Sequence, residues 1–203
     1  MLIPPLSNRS RSIEAVSIAI CAGVLFGMGG CSRDNSTART EKTSATSLWV
    51  GEAIAGEGDE MAGVELIVGD KTGPVGVAFS TGLASQRQGH PSTIVVLQPN
   101  VAVKPSTLLV SRVTLAGGKP SLHFFDPVQQ GVARAITDSV ADKVIGLEKA
   151  EDLVVIVSVF IHPDAQDWAK LLQNNYEATK LALKRAMAGE PSAAHVEKVL
   201  RKD

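Results

Sequence analysis

Apolar positions change period several times along this chain, and the changes mark its elements. Residues 64–69 (V-E-L-I-V-G) alternate and are rich in branched side chains, as a strand is. Residues 93–97 and 108–115 predict two more strands. Residues 153–161 (L-V-V-I-V-S-V-F-I) are apolar on both faces and predict a central strand covered on both sides. Helical spacing takes over in residues 74–88 and 127–144, each opening on Pro, which tolerates the first helical position. In the second of these, Val128, Val132, Ala135, Ile136, Val140 and Val144 fall on one face. The longest helix is expected over 167–187. Trp168, Leu171, Leu172, Tyr176, Thr179, Leu183 and Met187 form its apolar stripe, and Gly189 and Pro191 its stop. A short charged helix is expected over 193–202. Strands alternating with helices, without internal repeats, indicate a two-layer α/β or α+β domain.

The N-terminus has a different logic. Arg9 and Arg11 precede an apolar run from Ala15 to Gly30 that closes with G-M-G-G-C, the layout of a secretory signal. Cys31 after two glycines resembles the lipobox of bacterial lipoproteins, with Met28 where Leu is usual. Residues 1–30 are thus expected to be a lipoprotein-like signal peptide, with Cys31 the lipidated residue and the protein held at the cell envelope. An uncleaved membrane anchor and a mis-assigned start, which would leave a cytoplasmic protein, are the competing readings. Residues 31–47 are polar and poor in apolar side chains and read as a flexible tether. The folded domain is expected over 48–191, with a helical tail at 192–203.

Composition narrows the function. With 203 residues, 44% hydrophobic and 20% charged, the chain can build one sizeable core. A formal net charge of −1, near −2 once Arg9, Arg11 and Glu14 leave with the signal, offers no basic surface for nucleic acid. Five Phe, two Trp and one Tyr are few for base stacking. Cys21 and Cys31 both precede the domain, and the four histidines show no paired ligand spacing, so no metal site is expected.

Specific motifs go further. Residues 50–66 (V-G-E-A-I-A-G-E-G-D-E-M-A-G-V-E-L), 97–110 (L-Q-P-N-V-A-V-K-P-S-T-L-L-V), 132–141, 150–163 and N-N-Y-E-A-T-K-L-A-L at 174–183 resemble the formaldehyde-activating enzyme family. That family condenses formaldehyde with tetrahydromethanopterin as co-substrate, giving methylene-tetrahydromethanopterin and water, with no bound cofactor. The resemblance covers nearly all of residues 49–193. It implies a two-layer α/β sandwich with a left-handed βαβ crossover, and a homopentamer with pterin sites between neighbouring subunits. Pattern alone would have argued the right-handed crossover.

Where the family carries its catalytic histidine, in G-N-E-V-A-H-I-D-L, this chain has Gly63, and Glu65 stands for the aspartate two residues on. Glycine donates no side-chain proton and suits a turn or a close backbone approach. The resemblance places Glu65, Ile94, Arg112, Thr114 and Gln129 at substrate-contact positions, with Ile for Leu and Arg for Lys. Glu65 is also a possible substitute acid, were burial to keep its proton. His90, His162, Asp59 and Glu60 are further candidates; a lone histidine or an acidic Gly-rich turn is more often structural. Glu177 and Lys180 are expected to form an i,i+3 pair, and Asn174 and Asn175 a fixed core or subunit contact. Two functions remain open: an enzyme of this family, or a non-catalytic, envelope-anchored module binding a pterin or an aldehyde adduct.

Overall fold

The computed structural model describes residues 47–115 and 118–201. The expected signal peptide and most of the expected tether, with Cys31, lie outside the described residues. Strands β1 (Leu48–Ala55), β2 (Ala62–Asp70), β3 (Ser92–Ile94), β6 (Ser106–Ser111) and β7 (Leu153–Phe160) form one sheet in the order β1-β2-β7-β6-β3. Strands β4 (Val96–Gln98) and β5 (Val101–Ala102) make a separate two-stranded ribbon. All pairs in the main sheet are antiparallel except β6 with β7. These two are joined by a crossover carrying α2 (Lys119–His123), a π-helical turn (Phe124–Val128) and α3 (Gln129–Ala141). The remaining helices are α1 (Pro74–Ala84), α4 (Trp168–Ala188) and α5 (Ala193–Leu200). The class is the mixed α/β, α+β arrangement expected.

One face of the sheet carries the core. Val64, Leu66 and Val68 of β2, Val155, Val157 and Val159 of β7, and Leu109 of β6 are almost wholly buried. They pack with Val132 and Ile136 of α3 and with Ala178, Ala182 and Leu183 of α4. Burying each such aliphatic side chain contributes about 1.5–3 kcal/mol. Helix α4 sits close because its contacts are small. A Cβ at Gly51 of β1 would lie 2.1 Å from the Ala182 carbonyl oxygen, and one at Gly131 of α3 would lie 2.5 Å from that of Leu172. The buried face of α4 accordingly runs through Leu171, Asn175, Ala178, Thr179, Ala182, Leu183 and Ala186. Trp168 remains 41% exposed, so the stripe is shifted toward the alanines from the large residues that periodicity selects.

Several expectations are corrected. Residues 48–55, outside the expected strands, form a full edge strand. The strand expected at 93–97 is divided between β3 and β4, and that expected at 108–115 begins at Ser106 and stops at Ser111. Helix α1 ends at Ala84 rather than 88 because the chain turns: Gly89 has φ +77°, and the Gln86 amide donates to the Ser92 carbonyl at 2.9 Å. Pro127 lies inside the π-helical turn instead of opening a helix. Strand β7 is central but not doubly covered, since Ile156, Ser158 and Phe160 are only half-buried. Helix α1 shields just part of the outer face, over Gly69 and Leu108. The stop of α4 is as expected, with Gly189 at φ +68°, and Asp167 caps its start by accepting from the Lys170 N–H.

His123 is 5% exposed, meets the Trp168 ring edge-on at 5.7 Å, and its Nδ1 has no partner. Burial first, and nearby Lys119 second, hold its pKa below the ordinary 6.5. Just below pH 6.5 the unfolded chain therefore binds a proton that the folded chain refuses. This contribution to stability is full above that pH and declines as pH falls, by up to about 1.4 kcal/mol per unit, until the folded pKa is reached. Thermal melts between pH 8 and 5 should show this acid slope reduced in His123→Phe. Gly51→Ala should lower stability by about 1–3 kcal/mol, because the backbone of α4 must move; chemical denaturation measures it.

Candidate functional site

The antiparallel registers arrange the outer face in rows. Ile54, Gly63 and Phe160 are directly opposed across β1, β2 and β7, and Arg112, whose N–H donates to the Val159 carbonyl at 2.9 Å, follows β6 beside them. The next row holds Glu52, Glu65, Ser158 and Val110. A cavity of about 260 Å³ opens here, lined by Glu52, Ile54, Met61, Gly63, Arg112 and Phe160 among others. Among the described residues, no side chain fills the place above Gly63. A Cβ there would have Phe160 Cβ as its neighbour, at 3.5 Å, an ordinary contact.

Gly63 therefore serves neither a turn nor a close backbone approach. It sits within β2, paired with Ile54 and Phe160, and leaves open space where a larger residue would project. Glu65 is not on the cavity wall. Its carboxylate reaches across β7 to the Arg112 guanidinium at 2.7 Å, with both side chains about half exposed. Such an exposed pair contributes little stability but fixes the direction of both groups. Glu65 is not buried: half of its side chain is exposed.

The other positions form a second group. Thr114 Oγ1 lies 3.1 Å from His90 Nε2, and the Leu115 N–H donates to the Gly89 carbonyl at 2.7 Å. Gly89 lets this loop close, since a Cβ there would fall 2.7 Å from Thr114 Cγ2. His90 also borders a separate cavity of about 330 Å³ with Arg87, Ser92 and Val110. Gln129, first residue of α3, accepts through Oε1 from the Val96 N–H at 2.9 Å and so braces the chain two residues beyond Ile94. Ile94 is 37% exposed opposite Leu108. The fold thus brings Gly63 and Arg112 together on one wall, with Glu65 held beside it. His90 and Thr114 meet elsewhere, and Gln129 supports the β3–β4 corner.

The remaining candidates have structural tasks. Glu60 accepts from the Gln166 and Asp167 N–H groups at 3.4 and 3.3 Å, and Asn174 donates to the Glu60 carbonyl at 2.7 Å. Asn174 thereby ties α4 to the loop before β2. Asn175, fully buried, donates to the Leu171 carbonyl. Asp59 faces His162 Nδ1 at 3.5 Å. The expected Glu177–Lys180 pair does not form. Gln173 donates to Glu177, while Lys180 reaches Asp142 at 2.8 Å and the Tyr176 hydroxyl at 3.2 Å. Asp142 first, and Tyr176 second, raise the Lys180 pKa.

Sequence reasoning missed the part of the wall built by Glu52, Ile54, Met61 and Phe160. The period-2 order of residues 48–55 put Glu52 and Ile54 on one side of a strand; only the register shows that this side faces Gly63.

Comparison with known proteins identifies relatives of the chain. The family described as "Formaldehyde-activating enzyme (Fae)" matches residues 50–202. The bifunctional enzyme Fae/Hps of Methanococcoides burtonii is 50% identical over 144 residues, 71% of this chain and 36% of that protein. The one from Methanothrix thermoacetophila is 49% identical over 151 residues, 74% of this chain and 38% of that protein. The chain thus spans little more than a third of these bifunctional relatives. A 5,6,7,8-tetrahydromethanopterin hydro-lyase of Methanosarcina barkeri is 48% identical over 153 residues, covering 75% of this chain and 84% of that protein.

Because a Cβ at residue 63 meets only an ordinary contact and the cavity opens beside it, Gly63→His should fold with stability within about 0.5 kcal/mol of the parent. A thermal melt checks it, and a large loss would show that the space above Gly63 is not free.

Proposed function

Since this chain belongs to the formaldehyde-activating enzyme family, we propose that it condenses formaldehyde with a tetrahydropterin of the tetrahydromethanopterin type, releasing water. The observation that carries this reading is the open cavity above Gly63, walled by Arg112 and flanked by the Glu65 pair. An inherited site whose ligand had been abandoned could have filled with its own side chains.

The chemistry runs in three stages. A secondary amine of the pterin attacks formaldehyde and gives a carbinolamine. Its hydroxyl leaves as water, forming an iminium, and a second pterin nitrogen closes the ring. Holding both reactants in contact accelerates the first and last stages through proximity. The middle stage profits from an acid, because hydroxide is a poor leaving group near neutrality. In this assignment Arg112, kept in place by Glu65, presents a planar set of donors to the pterin. Ile94, Thr114 and Gln129 stand apart from this wall within one copy, and in the assembly proposed below the neighbouring copy brings them to the pterin.

The pterin site is completed by a second copy of the chain, in a ring-shaped homopentamer. A cavity of about 260 Å³ falls below the usual 300–1,000 Å³ of a ligand pocket and admits only the reacting edge of such a substrate. The exposed Leu48, Val50, Ile54 and Ile67 continue the same face and suit an interface between copies. Cys31, lipidated, would hold this assembly at the cell envelope; a cytoplasmic protein follows from the alternative start.

A second reading, a non-catalytic pterin- or adduct-binding module, is favoured by the missing side chain at Gly63. Stopped-flow assay with formaldehyde and tetrahydromethanopterin separates the two. The enzyme reading expects formation of the methylene product above the spontaneous rate, in proportion to protein concentration. Tight binding by titration calorimetry without any acceleration would support the binding module instead, and no binding would end both.

A further inference from the structure

We propose that Glu52 is the proton-transferring residue of this site, in place of the histidine that Gly63 lacks. The inference rests on the enzymatic reading above and deepens it.

The argument begins with register. Glu52 opposes Glu65 on the exposed face of the β1–β2 pair, and Ile54 opposes Gly63, so Glu52 and Gly63 are diagonal neighbours. Diagonal Cβ positions in an antiparallel pair lie roughly 7–8 Å apart, within reach of a long side chain. Of the two glutamates, Glu52 lines the cavity with Gly63 and Arg112, while Glu65 does not. Glu65 is occupied by the Arg112 guanidinium at 2.7 Å. Among the described residues, the carboxyl of Glu52 has no recorded hydrogen bond or ion pair. Its backbone is fixed, because its carbonyl accepts from Arg185 Nη1 at 2.9 Å. The held backbone thus places an uncommitted, solvent-reachable carboxyl beside the open cavity.

The charged groups around it come from every neighbouring element. Glu65 stands opposite on β2 and Arg112 beyond it after β6. Arg185 of α4, Glu190 and His195 share a second groove with Glu52 on its other side. Arg112 offsets the charge of Glu65, so Glu52 does not face a bare second carboxylate when it releases its proton.

The cycle closes without an outside reagent. The protonated Glu52 carboxyl gives its proton to the carbinolamine hydroxyl. The C–O bond breaks with its electron pair going to oxygen, and water leaves. The nitrogen lone pair forms the C=N bond of the iminium. The second pterin nitrogen then bonds to that carbon, and the proton it loses returns to the Glu52 carboxylate. The residue ends the turnover as it began.

The test compares the full folded protein with Glu52→Gln and Glu52→Asp, using formaldehyde and tetrahydromethanopterin in stopped flow. Glu52→Gln should lower kcat by roughly 10²–10⁴-fold, the range of general acid–base catalysis, with KM nearly unchanged. Glu52→Asp keeps a carboxyl and should retain part of the rate. Gly63→His should restore turnover in the Glu52→Gln background. Circular dichroism and the oligomeric state of each variant exclude a folding cause. Glu52→Gln at wild-type kcat, or a loss confined to KM, would overturn the assignment of Glu52 alone. A wild-type protein no faster than the spontaneous reaction would overturn the enzymatic reading with it.

Discussion

The close seating of α4 against the sheet and against α3 is the contact from which the other features follow. It depends on atoms that are missing: no Cβ on Gly51 beneath Ala182, and none on Gly131 beside Leu172. Backbone approaches backbone there, and the alanines of α4 carry the interface where larger side chains would hold the helix away. Asn174 adds a polar tie, from α4 to the Glu60 carbonyl, that positions the loop leading into β2. With the inner face of β1 and β2 closed in this way, their outer face is left for chemistry.

That outer face obeys the period of the strand. Alternate residues point to the same side, so Glu52, Ile54, Gly63 and Glu65 share a surface while Ala53, Val64 and Leu66 enter the core. A functional face and a core face are written into the same residues, one step out of phase. A one-residue slip in the β1–β2 pairing would expose the core and bury the carboxylates. The buried valines of β2 therefore fix the register on which the cavity depends. They have no chemistry of their own.

A glycine within such a strand differs from one in a loop. Gly63 is held on both sides by ladder partners, so its space stays open and its neighbours keep their directions. Arg112 and Glu65 orient one another across the half-covered β7. The open space and the Arg112–Glu65 pair beside it are thus fixed by the same strands.

The sequence by itself determined the mixed α/β class, β7 as the central strand, the long helix with its Asp167 and Gly189 ends, and the family. Each of these is local or is carried by a long run of matching residues. It also named Gly63, Glu65, Ile94, Arg112, Thr114 and Gln129, but as positions in a row, without neighbours. Only the tertiary structure decided that Glu65 spends its carboxylate on Arg112, that Thr114 meets His90, and that Gln129 supports Val96. It alone revealed β1 as a strand, split residues 93–97 in two, left one side of β7 half-bare and put Glu52 on the cavity wall. The physical reason is range. Propensity and periodicity act within a few residues, whereas register, the packing of α4 and the meeting of charges join residues tens of positions apart through contacts that exist only once the chain has folded.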